Sequence, residues 1–201
     1  MKNMFSVFAV CALAVLFAGC STTTVKRVEV DEQIDLSGKW NDTDSQLVSA
    51  EMIDDCTHQR WVGDFKSENG RVPVVIVGVI KNRSHEHINT MVFIKDLERQ
   101  LLNSGRVKFV ASKDERGQVR AEREDQQKGY TDPATIKKIG KETGADFILI
   151  GSINTIKDET KGRYVILYQT NLELIDIETN QKVWIGQKYL KKVVKKSKYS
   201  L

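Results

Sequence analysis

Apolar and polar positions along this chain fall into blocks of different period, and those periods predict its elements. Val48, Met52 and Cys56 recur every four residues, which makes one stripe of an α-helix. Thr43 followed three places later by Gln46 has capping-box spacing, so this helix is expected to open there and run to about Trp61. Gly63 to Arg71 is polar and reads as loop. Pro73 to Lys81 is an almost unbroken Val/Ile run, the pattern of a strand covered on both faces. Asn82-Arg83-Ser84 marks a turn. Phe93, Leu97 and Leu101, with Ile94 beside them, form a second helical stripe, and Lys95, Asp96, Arg99 and Gln100 take the other side. Asn89 suits the N-cap of that helix and Gly105 its stop. Val107 to Ala111 is a short strand. Strand, helix, strand in this order predicts a parallel βαβ unit with a right-handed crossover.

Asp114 to Lys128 is almost wholly polar, with Val119 and Ala121 its only apolar points. It is either a solvated helix or a mobile loop, and periodicity does not decide between them. Asp132-Pro133 is expected to open a short helix, because proline at the first helical position loses no hydrogen bond. Ile136 and Ile139 would face inward, with Gly144 at the end. Ala145 to Ile153 reads as a third strand, again covered on both faces. Arg163 to Ile177 alternates, with Ile166, Tyr168, Leu172 and Leu174 on one face. Thr179-Asn180 makes a turn, and Val183 to Leu190 returns antiparallel. The predicted class is α/β: a mixed sheet of four or five strands, from a βαβ unit and a C-terminal antiparallel hairpin, with packed helices.

The chain has 201 residues, 40% of them hydrophobic and 29% charged, as expected of one folded domain rather than a polytopic or disordered protein. Its N-terminal end changes the picture. Lys2 precedes an apolar run from Met4 to Ala18, about 22 Å long as a helix at ~1.5 Å per residue, against a hydrocarbon core of ~30 Å. Met1 to Gly19 therefore reads as a signal peptide, not a span. Leu16-Phe17-Ala18-Gly19-Cys20 resembles the bacterial lipobox, with Phe17 where an aliphatic residue is usual. The resemblance implies that Cys20 is acylated and becomes the mature N-terminus. Ser21, where inner-membrane retention usually has Asp, favours the outer membrane. Several acyl chains are needed because one holds only marginally. Ser21 to Lys39 has no apolar period and reads as a tether that reaches about 65 Å at ~3.4 Å per residue. With Cys11 in the signal and Cys20 lipidated, Cys56 remains, placed on the buried stripe of the first helix.

Charge is split along the chain. The net charge is +4, yet from Lys188 onward there are six lysines and no acid, and the rest carries slightly more acid than base. A cationic end suits an anionic surface, either lipid or wall polymer. Equally, lysines on an edge strand discourage aggregation. Export takes the tail away from nucleic acid. The expected organisation is a signal peptide over 1–19, a lipidated tether over 20–39, an α/β domain over 40–190 and a basic tail over 191–201.

No catalytic constellation stands out. His85-Glu86-His87 is the one histidine cluster, and with His58 the only other histidine a polar loop is the simpler reading than a metal site. Gly-rich phosphate loops and Gly-x-Ser-x-Gly or Ser-x-x-Lys nucleophile motifs are missing. Trp40, Trp61 and Trp184 either anchor packing or line a pocket for wall fragments.

Several local patterns coincide with one family. Asp35 to Asp44 (DLSGKWNDTD), the strand ending in Asn82-Arg83-Ser84, Ile88-Asn89-Thr90, Gly144 to Gly151 (GADFILIG) and Asp176 to Trp184 (DIETNQKVW) resemble the LpoB-type outer-membrane lipoproteins. The resemblance covers roughly Asp35 to Lys188. It implies a domain similar to the TolB amino-terminal domain that activates a class A penicillin-binding protein, a peptidoglycan synthase, from the periplasmic face of the outer membrane. It also implies no catalysis, no cofactor and no metal. The tether lacks the Pro-rich spacer of enteric members, and Asn180 stands where the family hairpin often has Gly. The rival class is a CsgG-like secretion component, which would need membrane-spanning hairpins; Arg163 to Leu190 carries charges in both strands and suits a soluble sheet better.

Overall fold

The structure, a computed structural model, describes residues 26–29 and 32–195. The chain divides into two units, Met1–Glu32 and Gln33–Leu201, and all the helices and strands described lie in the second. They are α1 (Asp42–His58), α2 (Arg60–Asn69), β1 (Val74–Arg83), α3 (Thr90–Asn103), β2 (Lys108–Phe109), α4 (Lys113–Gln126), β3 (Phe147–Thr160), β4 (Arg163–Asp176) and β5 (Lys182–Lys195).

Five strands form one sheet in the order β2-β1-β3-β4-β5. β1 pairs parallel with β2 and with β3, and β3, β4 and β5 run antiparallel in succession. This is the mixed α/β sheet that the alternation of periods predicts, with β1-α3-β2 as the parallel unit.

Period 2 sorts β4 cleanly. Ile166, Tyr168, Thr170, Leu172 and Leu174 are buried, while Val165, Leu167, Gln169, Asn171 and Glu173 between them are only half-buried. Val75 and Val77 of β1, and Phe147, Leu149 and Ile153 of β3, belong to the same core as the buried β4 set. α1 contributes Val48, Met52, Ile53 and Cys56 to it, and α3 contributes Phe93, Ile94, Leu97 and Leu101. Each such side chain adds roughly 1.5–3 kcal/mol by leaving water. Ser45 Oγ donates to Asp96 at 2.8 Å, joining α1 to α3, and Trp184 Nε1 donates to Asp55 at 2.8 Å, joining β5 to α1.

Several expectations shift. The capping box of α1 is Asn41 with Asp44, two residues before the pair read from sequence: Asp44 N donates to Asn41 Oδ1 at 3.0 Å and Asn41 N to Asp44 Oδ2 at 2.9 Å. The segment expected as a polar loop is mostly helix α2. Its Trp61 and Phe65 meet Phe147 edge-on, with centroids 5.0 and 5.3 Å away, and tertiary packing overrides weak propensity. The helix expected from Asp132 does not form, and Ile139 is 64% exposed. Nothing there buries an apolar face, so nothing repays the nucleation of a turn. The other segment resolves as helix: Ser112 and Glu115 make a second capping box, and α4 buries none of its residues.

β3 extends to Thr160, beyond the expected end at Ile153, and pairs residue by residue with β4 as far as Arg163. β5 runs through Lys195, so Lys191 to Lys195 of the expected tail are strand. Asn180 takes φ 60° in the β4–β5 turn, a value asparagine tolerates.

The largest difference concerns cover. β1 and β3 read from sequence as strands buried on both faces. In the structure Ile76, Ile148 and Ile150 are half-buried and Val79 is 66% exposed, because α1 and α3 cover the opposite face.

Candidate functional site

Three arrangements of polar side chains stand out on this frame. The first is a clasp. Lys192 of β5 donates through Nζ to Asp35 at 2.8 Å, Asp44 at 2.6 Å and the Lys39 carbonyl at 3.1 Å. Its side chain is 14% exposed and that of Asp44 is 8%. Burial works against the ammonium charge, but the hydrogen bonds to Asp35 and Asp44 outweigh it, so its pKa rises; the same contact lowers that of Asp35. Next to it, Tyr164 donates to the Ser37 carbonyl at 2.8 Å and Tyr168 to Glu86 Oε1 at 2.9 Å, while Glu86 Oε2 accepts from Trp40 N at 3.1 Å. Gly38 passes at φ 70° beside Val194, where a Cβ would collide with Cγ2 of that valine. Asp35 to Lys39, polar and aperiodic in sequence, is thus fastened to the ends of β4 and β5.

The second is the α4 module. Arg120 makes a bidentate pair with Glu142 at 2.8 and 2.9 Å, Arg123 adds 2.8 Å, and Lys95 joins Glu115 at 2.7 Å. These cations hold Glu142 and Glu115 down to about 2. The 440 Å³ cleft between α4 and residues 139–142 is lined by Arg120, Arg123 and Glu142 together with Glu124, Ile139 and Gly140.

The third is the uncovered face of β3, β4 and β5. Gln187 Nε2 donates to Asn171 Oδ1 at 2.7 Å, Tyr189 OH to Gln187 Oε1 at 2.7 Å, and Gln169 Nε2 lies 3.3 Å from Tyr189 OH. Asn154 Nδ2 donates to Ser152 Oγ at 3.2 Å. This amide band crosses three strands. Ile148, Ile150 and Ile185 flank it at one end, and Leu167 and Val193 at the other.

The residues singled out from sequence fall elsewhere. Cys20 and the signal segment lie outside the described residues, as do Lys196 to Leu201. Cys56 is fully buried, and desolvation raises its thiol to about 12, which makes it inert. His85 Nδ1 lies 2.8 Å from Thr155 Oγ1, His58 Nδ1 lies 2.7 Å from the Asp54 carbonyl, and Glu86 serves the clasp. Among the described residues no group of three His, Cys, Asp or Glu side chains is placed to hold a metal. The tryptophans are packing anchors: Trp40 meets Phe93 and Tyr168 edge-on, Trp61 Nε1 donates to the Cys56 carbonyl at 2.7 Å, and Trp184 is buried. Sequence reading missed Lys192, Glu86 and the amide band. Alternation in β4 and β5 was the available signal for the band; the clasp joins residues 148 and 157 positions apart and leaves no local signal.

The chain is an α/β domain whose mixed sheet is covered by helices on one face and left open on the other. A family model described as the peptidoglycan-synthase activator LpoB matches residues 44–190. The chain belongs to that family, whose members activate a peptidoglycan synthase and perform no chemistry themselves. Among solved structures it is similar to LpoB of Escherichia coli, at 15% identity over 89% of this chain and 87% of that one, with a TM-score of 0.38. The LpoB C-terminal domain of Salmonella enterica matches at 18% identity over 64% and 91%, with a TM-score of 0.33. Lipoprotein GNA1162 of Neisseria meningitidis matches at 15% over 60% and 84%, with a TM-score of 0.34. None of the curated proteins matches the chain.

Proposed function

We propose that this chain is a lipoprotein of the outer membrane that binds a class A penicillin-binding protein in the periplasm and raises its synthetic activity. The observation that carries this reading is the family match over residues 44–190, which takes in all the described helices and strands apart from the first two residues of α1 and the last five of β5. The lipobox-like Leu16 to Cys20 supports anchoring through acylated Cys20. Activation by binding requires that the domain prefer the active state of the synthase, since equal affinity for both states shifts nothing. Lys191 and the lysines after it would add attraction to an anionic wall or lipid surface.

The test uses the full-length lipoprotein in detergent with a purified class A synthase and its lipid-linked precursor. Glycan polymerisation faster than with the synthase alone is the expected result; an unchanged rate overturns the reading. Labelling cells with a palmitate analogue tests the anchor separately. Label should appear on the wild-type chain and vanish in Cys20→Ala, which should also leave the membrane fraction.

A further inference from the structure

The strand β3 carries apolar residues on both faces. Phe147 and Leu149 enter the core, and Ile148 and Ile150 alternate with them on the other side. A strand with one face in water normally alternates apolar with polar. Here the second apolar row has no cover within the described chain: Ile148, Ile150, Leu167 and Ile175 are absent from the core cluster, and Ile185 is 63% exposed. Gly78 of β1 keeps this area flat, since a Cβ there would come within 2.9 Å of both Ile148 Cδ1 and Ile150 Cγ2.

The centre of the face has the chemistry of a recognition surface. Ser152, Asn154, Gln169, Asn171, Gln187 and Tyr189 are neutral; hydrogen bonds join the last four side chains across β4 and β5, and Asn154 bonds Ser152 and the Gln169 carbonyl. Asn171 Oδ1 accepts from Gln187 and Gln169, which leaves its amide nitrogen to donate outward. Glu173, the nearest acid in the row, is neutralised by Lys182 at 2.8 Å. Lys81 and Arg83 of β1 and Lys191 of β5 stand at the margins of this face, so a neutral centre with a half-exposed tyrosine is set inside a charged rim, as in many protein–protein contacts.

We propose that this uncovered face of β3, β4 and β5 is the surface on which the peptidoglycan synthase docks. The inference rests on the function proposed above. A property shared by the family is carried by the matched residues, 44–190, which hold β3, β4 and most of β5 and leave out the lipid tether and the terminal lysines. Within that segment the other sheet face is core, and α4 is occupied by its ion pairs with Glu142 and Lys95. Exposed apolar side chains also lie on the helices, at Leu47, Met91, Val92 and Leu102, but among the described residues the open face is where they form strand rows beside hydrogen-bonded amides.

A photo-crosslinking residue at Gln187 of the full-length chain should trap the synthase in cells, and one at Glu68 on α2 should not. Ile185→Glu combined with Tyr189→Ala, both exposed positions, should weaken binding of the purified lipoprotein to purified synthase by about tenfold or more, with thermal unfolding unchanged. Trapping from Glu68 instead, or a Gln187 product that holds only a second copy of this chain or only glycan, overturns the proposal. So does a double variant that binds as the wild type does. If the wild-type chain neither binds nor stimulates the synthase, the functional reading falls and the docking face with it. If it stimulates and the double variant stimulates equally, only the docking face falls.

Discussion

Tyr168, midway along β4, donates its hydroxyl hydrogen to Glu86 on the loop after β1, 2.9 Å away. The ring is fully buried against Trp40, so the sheet interior and the segment leading into α1 meet at one carboxylate. Desolvation and the neighbouring Glu86 push the phenol's pKa up, which keeps it a donor throughout the accessible pH range. Tyr168→Phe keeps the packing and removes the bond to a charged acceptor. The expected cost is about 1.5–3 kcal/mol, read as a lower urea midpoint with an unchanged slope.

Lys192 and Lys191 are adjacent lysines with opposite fates. Lys192→Met leaves Asp44 buried beside Asp35 without their shared cation and should destabilise by about 1–3 kcal/mol. Lys191→Met removes the same charge from an exposed position and should stay within about 0.5 kcal/mol of wild type. Equal effects in chemical denaturation would mean that net charge matters and the clasp does not.

Acid should unfold the domain through identifiable carboxylates. Lys192 lowers the pKa of Asp35, Arg71 that of Asp146, Lys95 that of Glu115 and Arg120 that of Glu142. A depressed folded pKa means that the unfolded chain binds more protons, so stability is complete above the ordinary values of 3.8 and 4.5 and is lost as pH falls through the lowered folded values, about 2 for Glu115 and Glu142. Melting temperature should be flat above about pH 5 and drop below it. The pairs at Glu115 and Glu142 are solvent-facing, so part of that drop should weaken in high salt.

Cys56 should ignore alkylating reagents in the native protein at pH 8 and react fully in urea, as measured by peptide mass spectrometry at that position. Its burial and a thiol near 12 leave almost no thiolate.

The parts legible in the sequence are those in which one periodic face meets one core. The Phe93-Leu97-Leu101 stripe placed α3, and alternation from Ile166 to Leu174 placed β4. Asn41 lost to Thr43 in reading because both pairs have cap spacing, and only the reciprocal bonds separate them. α2 and the outer half of β3 depend on distant partners, Phe147 for the one and Tyr164 to Gln169 for the other, so no local pattern announces them. The apolar rows of β1 and β3 were readable; what covers each row was not. Of the outer face, the alternating residues were visible and their joining into one amide band was not, since it needs the register of three strands.

The fastening of Asp35 to Lys39 has a mechanical side. In the arrangement proposed above, a chain held at one end by membrane and at the other by an enzyme would be tugged whenever either moves. Tension arriving at Gln33 would pass through Lys192, Tyr164 and Tyr168 into β5 and β4 before it pulls on α1. Those bonds would then act as a strain relief, letting a partner's grip hold when the leash tightens.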